Sequence, residues 1–456
     1  MLRVAVIGSG PSGVYTAQSL IEQQTVPDIE VYVLDRLPCP YGLVRYGVAP
    51  DHEKIKSLQN NLRTVLEHPG VHFLGNVEVG APGLGVQELR EIFDAVVFCV
   101  GAATDRHLGI PGEDLPGSHP ATEFVAWYSA HPDAASTRFA LAARSAIVIG
   151  VGNVAVDVAR MLSRRAAELA ATDMPQGPLG ALADSRVEDV WMIGRRGPSQ
   201  AKFTTKELRE LGSLPGTQVL VRPDELALDP AYRDPAELPA VGRRNVEVLR
   251  GWAERPADPA PAQEHGRRIH LRFFLRPVEV LGDATGVRAV RFERTAPDGH
   301  GGVTGTGEFE EIEAQLVLRS VGYRGTPQPG LPFDEATGTV PHKEGRVLRN
   351  GTPLPGVYVA GWIKRGPTGV IGTNRPCAKE TALSLLADAA TLAERATAED
   401  PMAALTRAGQ RPVPWPGWLA IEAAEAEWGR GLGRGTVKLP DWQGLLEAAH
   451  SADVTG

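Results

Sequence analysis

The sequence has little cysteine, little lysine and no long apolar run. Three cysteines occur among 456 residues, Cys39, Cys99 and Cys377, and no two are close in sequence. That excludes a Cys-x-x-Cys redox pair, zinc-ligand spacing, a four-thiolate iron–sulfur site and a disulfide-dense secreted scaffold. No metal site is expected. Lysine numbers 8 against 39 arginines, and the 47 basic residues are outnumbered by 55 acidic ones, for a net charge of −8. A chain that wraps nucleic acid is usually basic, so a nucleic-acid partner is not expected. The apolar run around Ala95–Val100 falls far short of the ~20 residues a membrane span requires. A strand-like run already under way by Arg3 leaves no room for a signal peptide. The expectation is a soluble, cytoplasmic protein.

What is present is ordinary globular composition, 43% hydrophobic and 22% charged. At ~150 residues per domain the length suggests two or three domains. Val4–Ile7 reads as a strand entering Gly8-Ser9-Gly10-Pro11-Ser12-Gly13, with a helical pattern to about Gln23 and a second strand, Val31–Leu34, ending at Asp35. In a G-x-G-x-x-G turn the first glycine makes the turn, the second admits a pyrophosphate to the backbone, and the third lets helix and strand pack closely. Asp35 stands 22 positions after the third glycine, where a carboxylate would accept from a ribose 2′-hydroxyl.

The pattern then restarts about 140 residues later. Ser145–Ile149 enters Gly150-Val151-Gly152-Asn153-Val154-Ala155, with alanine for the third glycine, and a helix is expected to about Leu169. The next strand, Val187–Ile193, ends not in an acid but in Gly194-Arg195-Arg196-Gly197. Guanidinium forks suit a ribose 2′-phosphate, so this site should prefer NADP(H). Two turns of opposite ribose chemistry point to FAD in the first and NADPH in the second, arranged for hydride transfer from nicotinamide to flavin. The fold class expected is α/β with two Rossmann-like dinucleotide-binding domains.

Other segments are weaker signals. Glu53–Glu67 and about Pro376–Glu394 read as helices, and Ala171–Ser185 as a Gly/Pro/Ala-rich loop. The last ~50 residues read as a helical appendage whose Trp415, Trp418 and Trp428 are packing anchors. Gly366–Gly372 precedes a helix and would let backbone N–H groups approach a flat ring. His52 follows Pro50-Asp51. Glu207 and Glu210 lie three apart on a probable helix, a spacing at which acids usually face solvent.

Several blocks together resemble a known family. They are Gly8–Gly13, Pro40–His52, Gly152–Arg160, Gly194–Pro198 and Gly361–Asn374, in that order along most of the chain. They are similar to the adrenodoxin reductase family of ferredoxin–NADP(+) reductases, and most of all to its bacterial FprA-type branch. The resemblance implies an FAD domain built from residues 1–103 and 322–456, with an NADP domain, residues 104–321, inserted between them. It implies NADPH-dependent electron transfer through non-covalent FAD to a ferredoxin-type iron–sulfur protein. FAD contacts carried over are Gly8, Gly10, Ser12, Gly13, Asp35, Leu43, Val79, Trp362, Gly369, Val370 and Ile371. NADP contacts are Gly152, Asn153, Val154, Ala155, Arg195, Arg196, Glu207 and again Gly369. The family's active-site His and Glu correspond to His52 and Glu210. Tyr41 departs from the family, where Trp is frequent. A basic docking patch for the acidic partner is expected at Arg243 and Arg244, with Arg160, Arg164 and Arg165. A flavin monooxygenase and a nucleotide-binding redox sensor remain open alternatives; a flavin disulfide reductase would need the missing cysteine pair.

Overall fold

In the segment Leu2–Ile7 every residue but Arg3 is buried, and the apolar side chains divide between two cores. Leu2, Val4 and Val6 join one apolar cluster, while Ala5 and Ile7 join another. A strand buried on both faces belongs in the middle of a parallel sheet with helices on each side. The computed structural model, which describes residues 1–80, 84–255, 266–392 and 399–451, places it there.

The chain divides into two compact units. The first comprises Met1–Thr104, Ser129–Asp133 and Gly322–Gly456, the second Asp105–Tyr128 and Ala134–Val321. The short return at Ser129–Asp133 was not expected from sequence. It is tied to the first unit by the Ser129 carbonyl, which accepts from buried Lys438, and by Asp133, which pairs with Arg36.

An eight-stranded sheet forms the centre of the first unit. Its order is His342–Lys343, Arg346–Arg349, Thr352–Val359, Ala95–Phe98, Leu2–Ile7, Ile29–Leu34, Val71–Gly75 and Val413–Pro414. The five strands from Thr352–Val359 to Val71–Gly75 are parallel, and antiparallel partners close both edges. Helices Pro11–Ile21 and Asn374–Leu392 pack against each other on one face. The expected end of the latter helix at Glu394 lies outside the described residues.

The second unit carries a parallel sheet in the order Ser118–Pro120, Leu316–Arg319, Ser145–Ile149, Asp189–Ile193, Arg267–Arg272 and Thr217–Val221. A three-stranded antiparallel sheet, Leu275–Asp283, Gly286–Pro297 and Val303–Glu313, shares its apolar cluster through Leu275, Val290 and Phe292.

Three expectations fail locally. The helix over Glu53–Glu67 is two, Glu53–Lys56 and Leu58–Leu66, with Ser57 between them. The helix after Ala155 stops at Ser163, not Leu169, because Arg164 turns extended. The Arg267 guanidinium then donates to the Leu162 and Arg164 carbonyls at 2.8 and 2.7 Å, satisfying groups a continuing helix would have used. A separate short helix follows at Ala166–Leu169. The segment read as a loop over Ala171–Ser185 holds a helix, Gln176–Ala183. Its glycines do not prevent this, since Pro178 and Leu182 are buried and tertiary packing outweighs propensity.

The C-terminal appendage is tied into the first unit by a buried ion pair. Glu425, on helix Trp415–Gly431, meets Arg45 at 2.5 Å with both side chains at most 5% exposed. Trp418 is buried, edge-on to Tyr41 and beneath the Arg45 guanidinium. Removing one partner of a buried pair leaves an uncompensated charge and costs about 3–5 kcal/mol, whereas an exposed pair is worth at most about 1. Glu425→Ala should therefore lower unfolding stability several-fold more than Glu422→Ala, which breaks the solvent-exposed pair with Arg63. Denaturant unfolding followed by tryptophan fluorescence measures both, and equal losses would contradict the assignment.

Candidate functional site

The first unit builds its site around the turn after Leu2–Ile7. A Cβ on Gly13 would lie 1.8 Å from the Gly8 carbonyl oxygen, so only glycine lets helix Pro11–Ile21 begin this close to the strand. Pro11, at the first helical turn, has no N–H to satisfy. The remaining free amides and the positive end of the helix make a place for a phosphate. Asp35 closes the second strand. One of its oxygens accepts from the Ser9 amide at 2.8 Å and the Ser9 hydroxyl at 2.5 Å, and the other from the Leu37 amide at 2.9 Å. Burial pushes the Asp35 carboxyl above its usual range, and these three donors pull it back.

The Pro40–Pro50 loop reaches the same turn. The Tyr41 amide donates to the Ser9 carbonyl at 3.1 Å, and a Cβ on Gly42 would lie 2.9 Å from the Gly10 Cα. Leu43 follows at the start of a short helix, Leu43–Tyr46, and is 43% exposed. His52 is buried just before helix Glu53–Lys56. Val79 lies in the turn beyond the third strand, half-buried against the apolar cluster of Leu84 and Val86. That turn is tied to the site because the Val77 amide donates to the Asp35 carbonyl at 2.8 Å.

Trp362 arrives from the far end of the chain. Gly361 has φ +79°, and a Cβ there would strike Ser12 Oγ at 2.4 Å, so this segment crosses directly over the first helix. The Gly366–Thr373 turn is clipped by Arg365, which donates to the Thr368 carbonyl, to Thr373 Oγ1 at 3.1 Å and to Asn374 Oδ1 at 2.9 Å. Within that turn Val370 is exposed and Ile371 half-buried. Arg365 was not singled out from sequence; its only signal was its place inside the Gly361–Asn374 block.

In the second unit Gly152 caps helix Asn153–Ser163. Asn153 Oδ1 accepts from the Thr204 amide at 2.9 Å, and the Lys202 amide donates to the Val151 carbonyl at 2.9 Å. These bonds set helix Thr205–Leu211 beside the glycine turn. Glu207 on that helix is buried, not solvent-facing, and its Oε2 has no hydrogen-bond partner among the described residues. Glu210 lies 3.6 Å from both Arg160 and Lys206. Arg195 is exposed and Arg196 half-buried, and no described carboxylate is paired with either guanidinium.

The expected basic patch needs correction. Arg160 is buried, held by Asp157 at 3.0 Å, and faces the interior. Arg164 lies beyond the helix end, so the two do not share a helical face. Arg165, Arg243 and Arg244 are exposed.

These residues fit two dinucleotides. A Cβ on Gly101 in the first unit, or on Gly152 in the second, would meet nothing within 4 Å, as a cradle for a ligand requires. The buried indole Nε1 of Trp362 also lacks a partner among the described residues. FAD fits the first unit, beside Asp35, and NADP(H) the second, beside Arg195 and Arg196.

Known proteins similar in sequence and structure identify the family. The family described as pyridine nucleotide-disulphide oxidoreductase matches residues 2–193. NADPH-ferredoxin reductase FprA of Mycobacterium tuberculosis is 45% identical over 97% of this chain and 98% of its own length. Mitochondrial NADPH:adrenodoxin oxidoreductase of Arabidopsis thaliana is 38% identical over 98% and 95%. The structure of Mycobacterium tuberculosis FprA in complex with NADPH superposes with a TM-score of 0.91 at 43% identity, covering 98% of this chain and 99% of that one. The chain belongs to the family of NADPH-ferredoxin and adrenodoxin reductases, oxidoreductases with Rossmann-type domains.

Proposed function

We propose that this chain passes electrons from NADPH through non-covalent FAD to a ferredoxin-type iron–sulfur protein. The observation that carries the reading is the contrast between two dinucleotide turns, one closed by a half-buried carboxylate and one by two guanidinium groups with no described carboxylate paired to them. The first unit, with both ends of the chain, is the FAD domain of this reading, and the second the NADP domain. Bound FAD would supply the exchange between a two-electron nicotinamide and a one-electron acceptor.

The chain's own residues bind and position. The amides at the start of helix Pro11–Ile21 would hold the FAD pyrophosphate, and Asp35 would accept from its ribose. Leu43, Val79, Trp362 and the Gly369–Ile371 backbone are the further FAD contacts we assign. In the second unit, the turn Gly152–Ala155 would hold the NADP pyrophosphate and Arg195 and Arg196 its 2′-phosphate. Glu207 offers an unpartnered carboxylate oxygen to a hydroxyl or amide of the same ligand. His52 in the first unit and Glu210 in the second are each assigned an active-site role in this reading, where an imidazole and a carboxylate can supply or accept protons. The three cysteines are unpaired, as in a reducing compartment, and we place the protein in the cytoplasm.

The purified protein should be yellow and release intact FAD on denaturation. Asp35→Ala should lower the FAD retained after gel filtration. Colourless protein that cannot be reconstituted with FAD, or release of FMN, would refute the FAD assignment.

NADPH should be strongly preferred over NADH. A charge-assisted hydrogen bond contributes ~1.5–3 kcal/mol, so each arginine should account for roughly tenfold or more. In ferricyanide reduction, replacing Arg195 and Arg196 with alanine should raise KM for NADPH and leave the NADH reaction nearly unchanged. Equal losses with both nucleotides would remove the arginines from 2′-phosphate recognition.

Mixing the protein with NADPH, a ferredoxin and cytochrome c should give ferredoxin-dependent cytochrome c reduction. The chain carries net charge −8, so docking an acidic ferredoxin requires a local basic face. Arg243 and Arg244 supply exposed charge of the right sign. The apparent KM for ferredoxin should rise with salt, because the Debye length is only ~10 Å at 0.1 M, while ferricyanide reduction changes little. Wild-type ferredoxin kinetics in the Arg243→Glu, Arg244→Glu double variant would move the docking face elsewhere.

A further inference from the structure

The segment Gly194–Gly197 carries the two arginines, and its backbone is held with unusual completeness. Three successive carbonyls are each engaged by the antiparallel insertion. The Leu275 amide donates to Gly194 O at 3.1 Å, the Thr295 hydroxyl to Arg195 O at 2.9 Å, and the Phe274 amide to Arg196 O at 3.3 Å. The Gly194 amide in turn donates to Arg272 O at 2.9 Å, and at the far end Asp229 Oδ2 accepts from the Ser199 amide at 2.8 Å. Every peptide plane across the arginine pair is thereby oriented, while no described carboxylate is paired with either side chain.

Two irregularities converge on the same contact. Phe274 has φ +57°, a left-handed conformation that is strained for a bulky residue and persists only where surroundings enforce it. Both its peptide groups are committed, the amide to Arg196 and the carbonyl to the Thr295 amide at 2.9 Å. The pairing of Gly286–Pro297 with Val303–Glu313 shifts register between Glu293 and Thr295. Bulges of this kind re-aim a side chain. Thr295 is 2% exposed, and its hydroxyl reaches a residue 100 positions away rather than its own strand.

We propose that Thr295, with Phe274, is a positioning residue for 2′-phosphate recognition, holding the Arg195–Arg196 backbone so that both guanidinium groups face the nucleotide. This rests on the reading of those arginines given above. Thr295 touches no substrate; it acts through the Arg195 carbonyl. Losing the hydroxyl would leave that carbonyl without its donor and let the arginine pair relax into several orientations. The consequence falls on the phosphorylated nucleotide, because NADH uses neither arginine.

The test compares Thr295→Val, which keeps shape and removes the donor, with Thr295→Ser, which keeps the donor, in the flavin-loaded full chain. Ferricyanide reduction is measured with NADPH and with NADH, and calorimetry gives the affinities for 2′,5′-ADP and for 5′-ADP. Thr295→Val should raise the NADPH KM and the 2′,5′-ADP Kd by roughly fivefold to tenfold, the size of one net hydrogen bond. The NADPH kcat, NADH kcat/KM and 5′-ADP affinity should stay within about twofold. Thr295→Ser should stay close to the parent. Thr295→Ala serves in place of Thr295→Val if the latter does not fold. An unchanged NADPH preference in Thr295→Val, alongside a lost preference in Arg195→Ala, overturns the proposal and leaves the nucleotide reading intact. Equal losses with both nucleotides, not rescued by Thr295→Ser, overturn it as well, since a merely structural role predicts them. An unchanged preference in Arg195→Ala and Arg196→Ala variants instead overturns the nucleotide reading itself.

Discussion

Backbone amides can grip a phosphate only where no side chain stands between a helix N-terminus and the strand that feeds it. In the first unit that constraint is met with no room to spare. Helix Pro11–Ile21 begins so near its strand that a single methyl group at Gly13 would overlap the Gly8 carbonyl. Much of the first unit follows from this approach. The close start fixes where Ser9 lies, Ser9 engages Asp35, and the Ser9 carbonyl receives the Tyr41 amide that brings in the Pro40–Pro50 loop. The second unit has alanine at the third position, Ala155, fully buried in the first turn of helix Asn153–Ser163.

We assign nucleotide specificity to the residues one strand further on, where the two units diverge in electrostatics. Asp35 is half-buried, its carboxyl raised by burial and pulled back chiefly by three neutral donors. Such a group gains from a further neutral donor such as a ribose hydroxyl and loses from an added phosphate. Arg195 and Arg196 sit in the converse setting, reachable by solvent, their charges uncompensated by any described carboxylate. An anion therefore does not have to displace an internal partner there.

What was legible in the sequence was what is local. Strand, glycine turn and helix occupy ~20 consecutive residues, and hydrophobic period and glycine spacing report them directly. Ser145–Ile149 is a strand in the structure as read, and Gly150–Gly152 leads from it directly into helix Asn153–Ser163. Segments whose state depends on distant packing were not legible. Gln176–Ala183 has loop-like composition yet is helical, because burial of Pro178 and Leu182 decides it. Arg160 looked like a surface charge by type, but Asp157 and Glu210 draw it inside. Helical spacing alone would turn Glu207 to solvent, and it is buried. In the Thr-Thr-Lys-Glu run nothing marks which helical face is covered.

The supports of both sites are therefore non-local even though the binding turns are local. The Pro40–Pro50 loop is braced at Arg45 by Glu425, 380 positions later, and by Lys438, whose ammonium donates to the Arg45 carbonyl at 2.6 Å. Val413–Pro414 adds a last strand to the edge formed by Val71–Gly75. On the nucleotide side, the contact that orients Arg195 comes from an antiparallel sheet that no glycine motif announces. Such contacts pay loop-closure entropy that grows only logarithmically with separation, so distance along the chain is a weak barrier to using them. A motif thus states which ligand chemistry is present, while residues far from it in sequence determine how sharply that chemistry is aimed. Substitutions at those remote positions should be sought in the ratio between nucleotides rather than in turnover, because they alter orientation without touching the reacting atoms.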